Sequence, residues 1–204
     1  TRVYPNGRLF SHVLGQINTE NEGISGLEKA YDYELTTSKK PLELTLDTEI
    51  QYLMREELNK FQSVFKSYGS ASILMDINNG DILSMISLPD FDLNKREKIS
   101  DLKYINRATK GVYEFGSVFK TFTIAAGINY DVIKPETEFK DLKKRIVCAN
   151  NPISEYDDKI PSDLTAEEIL IRSGNIGSAR IAEKIGIDNY DQFLQTIGCL
   201  LYTS

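Results

Sequence analysis

Histidine is nearly absent from this sequence: His12 is the only one in 204 residues, and the two cysteines, Cys148 and Cys199, stand far apart. No Cys/His zinc constellation can be assembled from that set. The cysteines could form one bridge at most, spacing does not show that they meet, and so few fit either redox compartment. An excess of positive charge is also missing, with 24 Lys+Arg against 30 Asp+Glu and a net charge of -6. That leaves no basic stripe for a phosphate backbone and argues against a nucleic-acid partner. No run approaches the roughly 18 to 20 apolar residues that span a bilayer, and no charged start followed by an apolar core marks a signal peptide. The chain begins with Thr1 rather than Met, so the expectation is that a natural N-terminus, with any anchor on it, lies outside this segment. What is present, 41% hydrophobic and 26% charged residues, is the composition of an ordinary folded body.

The first 40 residues combine Gly7, Gly15, Gly23 and Gly26 with short apolar pieces such as Val13-Leu14 and Ile17, which predicts extended, turn-rich structure. Pro41 marks an expected domain boundary. After it, Leu42, Leu44 and Leu46 alternate with polar residues as on a half-buried strand. The period then turns helical over 48–66, with Ile50, Leu53, Met54, Leu58, Phe61 and Phe65 on one stripe and Thr48/Gln51 as a capping box. Residues 70–77 and 81–87 read as a hairpin around Asn78-Asn79-Gly80, where Asn-Gly supplies the positive φ angles of a tight turn. The polar stretch 89–110 reads as a long loop leading into a dense apolar helix over 117–129. Residues 136–163 read as irregular. Thr165 with Glu168 forms a capping box that opens a helix through Ile171, and 175–185 and 190–197 predict two more helices.

With His12 isolated upstream, a serine nucleophile cannot draw on a nearby histidine base, and lysine is the alternative. In Ser-x-x-Lys at a helix start the two side chains share a face, and a desolvated amine can be neutral and accept the hydroxyl proton. About one such match is expected by chance in this composition; the chain has Ser63/Lys66, Ser100/Lys103 and Ser117/Lys120. Ser63 and Lys66 close an amphipathic helix, where both read as surface residues. Ser100 and Lys103 lie in a charged loop without an apolar wall. Ser117 instead follows Gly116, which permits a sharp turn, and heads the run Phe119, Phe122, Ile124, Ala125, Ala126, Ile128. Ser173-Gly174-Asn175 is the only Ser-x-Asn. It reads either as a helix C-cap and N-cap pair, or as a hydroxyl that relays a proton beside a carboxamide that binds a peptide backbone.

Ser117-x-x-Lys120 followed by Ser173-x-Asn175 resembles the order of motifs in penicillin-binding protein transpeptidases and serine β-lactamases. The surrounding residues are more specific. Asn106-Arg107-Ala108-Thr109 and Val112-Tyr113-Glu114-Phe115-Gly116-Ser117-Val118-Phe119-Lys120 are similar to the approach to the nucleophile in class B penicillin-binding proteins, with Phe115 where Pro is usual. The ten residues from Ser173 resemble that family's second-motif helix, with Gly174 where a small polar residue is usual. Arg2-Val3-Tyr4-Pro5, the stretch from His12 to Gly15 and that from Gly23 to Glu28 look like the end of its non-catalytic pedestal, and Leu44-Thr45-Leu46-Asp47 like the entry to its transpeptidase domain. The likeness runs from Arg2 to Gly198 and is nearest the septal, FtsI-type branch.

The resemblance implies an α/β (α+β) transpeptidase domain truncated at its C-terminus. Residues 1–40 would be the end of a pedestal or dimerisation domain, 41–198 the N-terminal part of the transpeptidase domain, and 199–204 a tail that departs from the family. It implies a D,D-transpeptidase on the periplasmic face of the bacterial inner membrane, anchored by an N-terminal segment outside this chain. Ser117 would attack the D-Ala-D-Ala carbonyl of a peptidoglycan stem peptide, Lys120 take its proton, Ser173 relay a proton and Asn175 hold the substrate amide. β-Lactams would acylate the same serine, and a membrane glycosyltransferase and other division proteins would be partners. Neither a metal nor an organic cofactor is implied, since the Ser117 N–H would form half of an oxyanion hole. The family's third motif, Lys-Ser/Thr-Gly, does not occur in this sequence, so the 204 residues alone are expected to be inactive. The rivals are a β-lactam-binding sensor without turnover, a penicillin-hydrolysing enzyme, and a non-catalytic division scaffold.

Overall fold

A computed structural model describes residues 2–95, 102–148 and 150–199. Ser100 of the second tetrapeptide and residues 200–204 of the tail lie outside the described residues. The chain divides into two compact units, Thr1–Tyr113 and Glu114–Ser204.

The first unit contains residues on both sides of Pro41. Where extended structure was expected it forms three short helices, α1 (Ser11–Leu14), α2 (Gly26–Ala30) and α3 (Asp32–Thr37), with an isolated bridge between Ile17 and Gly23. Their apolar pieces are too short to display a helical period, so the turns between them dominated the pattern. The alternating leucines do not form a strand either: Leu42 and Leu44 are exposed. Thr45 donates its hydroxyl to the Ile82 carbonyl at 2.8 Å and Asp47 its amide to Leu83 at 2.9 Å, which tethers the segment without making a ladder.

Helix α4 (Thr48–Phe65) is capped by Asp47, whose Oδ1 accepts the Ile50 amide at 2.9 Å. This replaces the predicted Thr48/Gln51 box, because Gln51 is committed elsewhere. Its side-chain N–H group donates to the Leu9 and Met85 carbonyls, and its oxygen accepts from the Ser84 hydroxyl and the Met85 amide, at 2.8 to 3.0 Å. A buried amide whose polar atoms all find partners is a strong fixed point. Gln51 therefore faces inward at 1% exposure, while Leu53, Phe61 and Phe65 of the predicted stripe are exposed.

Strands β1 (Ser70–Met75) and β2 (Ile82–Leu88) pair antiparallel, Ser70 opposite Leu88. The hairpin is as predicted, but its turn is longer than a two-residue Asn-Gly turn. The Gly80 amide bonds the Asp76 carbonyl at 2.8 Å, and of Asn78, Asn79 and Gly80 only Gly80 has positive φ. Within the stretch read as a loop, α5 (Arg107–Lys110) is capped by Asn106, which accepts the Ala108 amide at 3.0 Å.

The second unit opens with a 3-10 turn, Gly116–Phe119, continuous with α6 (Lys120–Asn129). Strand β3 (Glu138–Phe139) pairs with β6 (Leu164–Thr165), and β4 (Arg145–Cys148) with β5 (Asn151–Ser154). That second hairpin lies where irregular chain was expected; its strands are four residues each and largely exposed, too short and polar to register a period of two. Helix α7 (Ala166–Ile171) carries the predicted capping box, Thr165 with Glu168, and α8 (Asn175–Ile185) and α9 (Ile187–Thr196) follow.

Ile124 and Ala126 of α6, Ile169 of α7, and Ile176, Ile181 and Ile185 of α8 form the centre of this unit's core. Each buried isoleucine contributes about 2 kcal/mol relative to exposure. Gly177 sets the approach of α7 and α8, since a Cβ there would lie 2.6 Å from Ile169 Cγ1. This packing fixes the ends of α6 and α8, where the motif residues sit. The two cysteines are exposed and unbridged.

Candidate active site

Lys120 begins α6, three and four residues before the buried Thr123 and Ile124, and its amine reaches the turn between α7 and α8. That amine donates to the Ser173 carbonyl at 2.5 Å, to the Ser173 hydroxyl at 3.1 Å and to the Asn175 side-chain oxygen at 2.5 Å. Three acceptors match the three N–H bonds of an ammonium group. Burial nevertheless pushes the Lys120 pKa below the ordinary 10.5, with the charge of Glu155 opposing the shift. The amine is thus held at a balance point from which a proton can be lost.

The turn that meets Lys120 is a Schellman motif closing α7. The Ser173 amide donates to Leu170 at 3.0 Å and the Gly174 amide to Ile169 at 2.8 Å. The left-handed position of this motif ordinarily holds glycine, yet Ser173 occupies it with φ 52°. A side chain kept where glycine is favoured points to a use for its hydroxyl. Asn175 then starts α8, and its carboxamide spans the site: the oxygen accepts from Lys120 and the nitrogen donates to the Ser154 carbonyl at 2.7 Å.

Ser117 lies within the 3-10 turn, exposed, one residue after Gly116, whose φ of 54° supplies the sharp bend anticipated from its sequence position. Among the described residues its hydroxyl makes no hydrogen bond. Three of the four sequence-predicted residues, Lys120, Ser173 and Asn175, therefore form one bonded cluster, and Ser117 stands a single turn away on the same continuous helical segment. Of the apolar run expected to desolvate the amine, Ile124 and Ala126 are buried, whereas Phe122 and Ile128 are exposed.

Ser63-Val64-Phe65-Lys66, the same four residue types as 117–120, behaves as a surface helix end: the Ser63 hydroxyl donates to the Asn59 carbonyl at 2.9 Å and Lys66 is the left-handed C-cap of α4. Lys103 places its amine 5.6 Å from the centre of the Tyr104 ring. A cleft of about 640 Å³ lined by His12, Phe91, Tyr104 and Asn106 includes none of the four candidates. Among the described residues no group of three or more His, Cys, Asp or Glu side chains is placed to hold a metal ion, and no helix is long and apolar enough to cross a membrane.

Glu155 was not singled out from the sequence. Its two carboxylate oxygens accept the Asn175 amide at 2.7 Å and the Ile176 amide at 3.0 Å. Acidic residues are frequent in this chain, and a cap contributed from 20 residues upstream has no local signature; only the fold discloses it.

The family model for the penicillin binding protein transpeptidase domain matches residues 70–200. The chain is 31% identical over 201 residues to the probable peptidoglycan D,D-transpeptidase FtsI of Caulobacter vibrioides, covering 97% of this chain and 34% of that protein. It is 25% identical over 222 residues to the peptidoglycan D,D-transpeptidase FtsI of Escherichia coli, covering 94% and 37%. The chain thus spans about a third of the length of these relatives. The crystal structure of penicillin binding protein 3 from Mycobacterium tuberculosis superposes with a TM-score of 0.84 at 22% identity, over 97% of this chain and 47% of that one, and shares the fold.

Proposed function

For a chain that belongs to the penicillin binding protein transpeptidase-domain family, we propose that Ser117 is the nucleophile of a peptidoglycan D,D-transpeptidase and Lys120 its base. The observation that carries this reading is the amine of Lys120 bonded at once to Ser173 and Asn175, one helical turn from Ser117.

The step balances as an acyl transfer. Neutral Lys120 accepts the Ser117 hydroxyl proton, Oγ bonds the carbonyl carbon of the penultimate D-Ala, and the bond from that carbon to the terminal D-Ala nitrogen breaks. The departing amine takes a proton relayed through the Ser173 hydroxyl. The amine of a second stem peptide then attacks the ester, forms the cross-link and releases Ser117. The Ser117 amide, at the N-terminal end of a helical segment, would stabilise the developing oxyanion. Asn175 keeps one side-chain N–H for the substrate peptide once the other is spent on Ser154.

β-Lactams present a strained carbonyl to the same serine and acylate it. The setting proposed for the whole protein is the periplasmic face of the inner membrane, acting on glycan strands beside a glycosyltransferase and other division proteins, with residues 1–40 the end of a pedestal domain. The test is labelling of the full-length protein with a fluorescent penicillin. Labelling that disappears in Ser117→Ala and persists in Ser63→Ala supports the assignment; labelling lost only in Ser63→Ala overturns it.

A further inference from the structure

We propose that Glu155 is a positioning residue: its carboxylate clamps the first two amides of α8 and so holds Ser173 and Asn175 in the geometry that grips Lys120. The inference rests on the reading of Lys120 as the base. The last residue of β5 and the two that follow it touch the motif turn in succession. The Ser154 carbonyl accepts the Asn175 side chain at 2.7 Å, Glu155 accepts the Asn175 and Ile176 amides at 2.7 and 3.0 Å, and the Tyr156 hydroxyl donates to the Arg172 carbonyl at 3.1 Å.

The first amides of a helix have no intrahelical partners and carry its partial positive charge. A small polar side chain at the cap position ordinarily satisfies one of them, but here that position is Gly174, which makes no side-chain bond. Glu155 supplies what Gly174 lacks, with two charge-assisted bonds in place of one neutral one. Two consequences follow from the same carboxylate. Mechanically, it fixes the backbone of Asn175, whose side chain would otherwise swing away from Lys120. Electrostatically, it sets a negative charge near the amine and raises the Lys120 pKa against the lowering by burial. Among the described residues Glu155 is the charged group that acts on that amine, so its loss moves the proton balance in a direction a purely structural cap would not.

The test is the titration of Lys120, followed by NMR of its side chain in the 204-residue chain, for wild type, Glu155→Gln, Glu155→Asp and Tyr156→Phe. The expected result is a downward shift of the Lys120 midpoint in Glu155→Gln, with loss of the downfield position of the Asn175 amide proton. Glu155→Asp, which keeps the charge, should keep the midpoint near the wild-type value, and Tyr156→Phe, which removes a bond to the same turn but no charge, should leave the midpoint in place. In the full-length protein Glu155→Gln enlarges the neutral fraction of Lys120 but releases Asn175. The effect is therefore read on the high-pH plateau of penicillin labelling, where the amine is neutral in both proteins. That plateau should fall by about tenfold, the equivalent of one charge-assisted bond. An unmoved Lys120 midpoint and an unmoved Asn175 amide in folded Glu155→Gln overturn the proposal, even where wild type is labelled at Ser117. A shifted midpoint in a protein that penicillin does not label upholds the positioning role and removes the acyl-transfer reading instead.

Discussion

The amine of Lys120 lies 2.5 Å from the side-chain oxygen of Asn175, 55 positions further along the chain. Two motifs that are short and individually ambiguous in sequence are thereby one structural object. Its stability depends on helix packing in the second unit, and its reactivity on how tightly the amine holds its third proton.

Replacing Lys120 with methionine keeps the length of the stem and removes the proposed base. Acylation by penicillin in the full-length protein should fall by about 10² or more, the usual contribution of a positioned base. Stopped-flow measurement of the acylation rate checks this, with circular dichroism to confirm that the fold survives.

The pH dependence of acylation follows from the lowered Lys120 pKa. In the proposed mechanism the reactive species is the neutral amine, so the rate should rise with pH. Because burial favours the neutral form, the midpoint of that rise should fall below the ordinary lysine value of 10.5. A pH–rate profile of penicillin acylation reads it directly.

Ser173→Gly should separate stability from function. Ser173 holds a left-handed backbone at φ 52°, where glycine is favoured by about 1 kcal/mol. The variant is expected to melt at a higher temperature while acylating more slowly, because the hydroxyl beside Lys120 is gone. Differential scanning calorimetry and labelling kinetics on the same preparation test both halves.

His12 makes an acid-side prediction for the first unit. Burial holds its pKa below 6.5, against the Lys103 carbonyl and Asp90, which raise it, while Arg107 lowers it further. Its Nε2 lies 2.7 Å from the Lys103 carbonyl. The folded state binds the proton more weakly than the unfolded chain, so this contribution to stability is complete above 6.5 and is lost as the pH falls below it. Thermal melts taken from pH about 8 down to about 5 should show a steeper loss in wild type than in His12→Gln.

Much of the site was legible before the structure because it uses local signals. Gly116 before Ser117, the dense apolar run after it and the Thr165/Glu168 box are local signals, and the structure has the bend, a helical segment that is 3-10 to Phe119 and α from Lys120, and the box. Longer-range relationships were not. Leu42, Leu44 and Leu46 alternate like a strand yet have no ladder, because strand formation depends on a partner edge that a sequence does not display. Gln51 looked like half of a capping box and is instead the buried hub joining α4 to Leu9 and Met85. Glu155 is the same kind of case within the site: an acidic residue in a charged stretch becomes a helix cap only when the β4–β5 hairpin carries it to Gly174.

The measurement that bears most directly on the account is peptide mass spectrometry of the full-length protein after reaction with benzylpenicillin. The account predicts a single covalent adduct, an ester on Ser117, absent from Ser117→Ala and slowed in Lys120→Met. An adduct on Ser63 or Ser173, or none on Ser117 under conditions where the protein is folded, would contradict it.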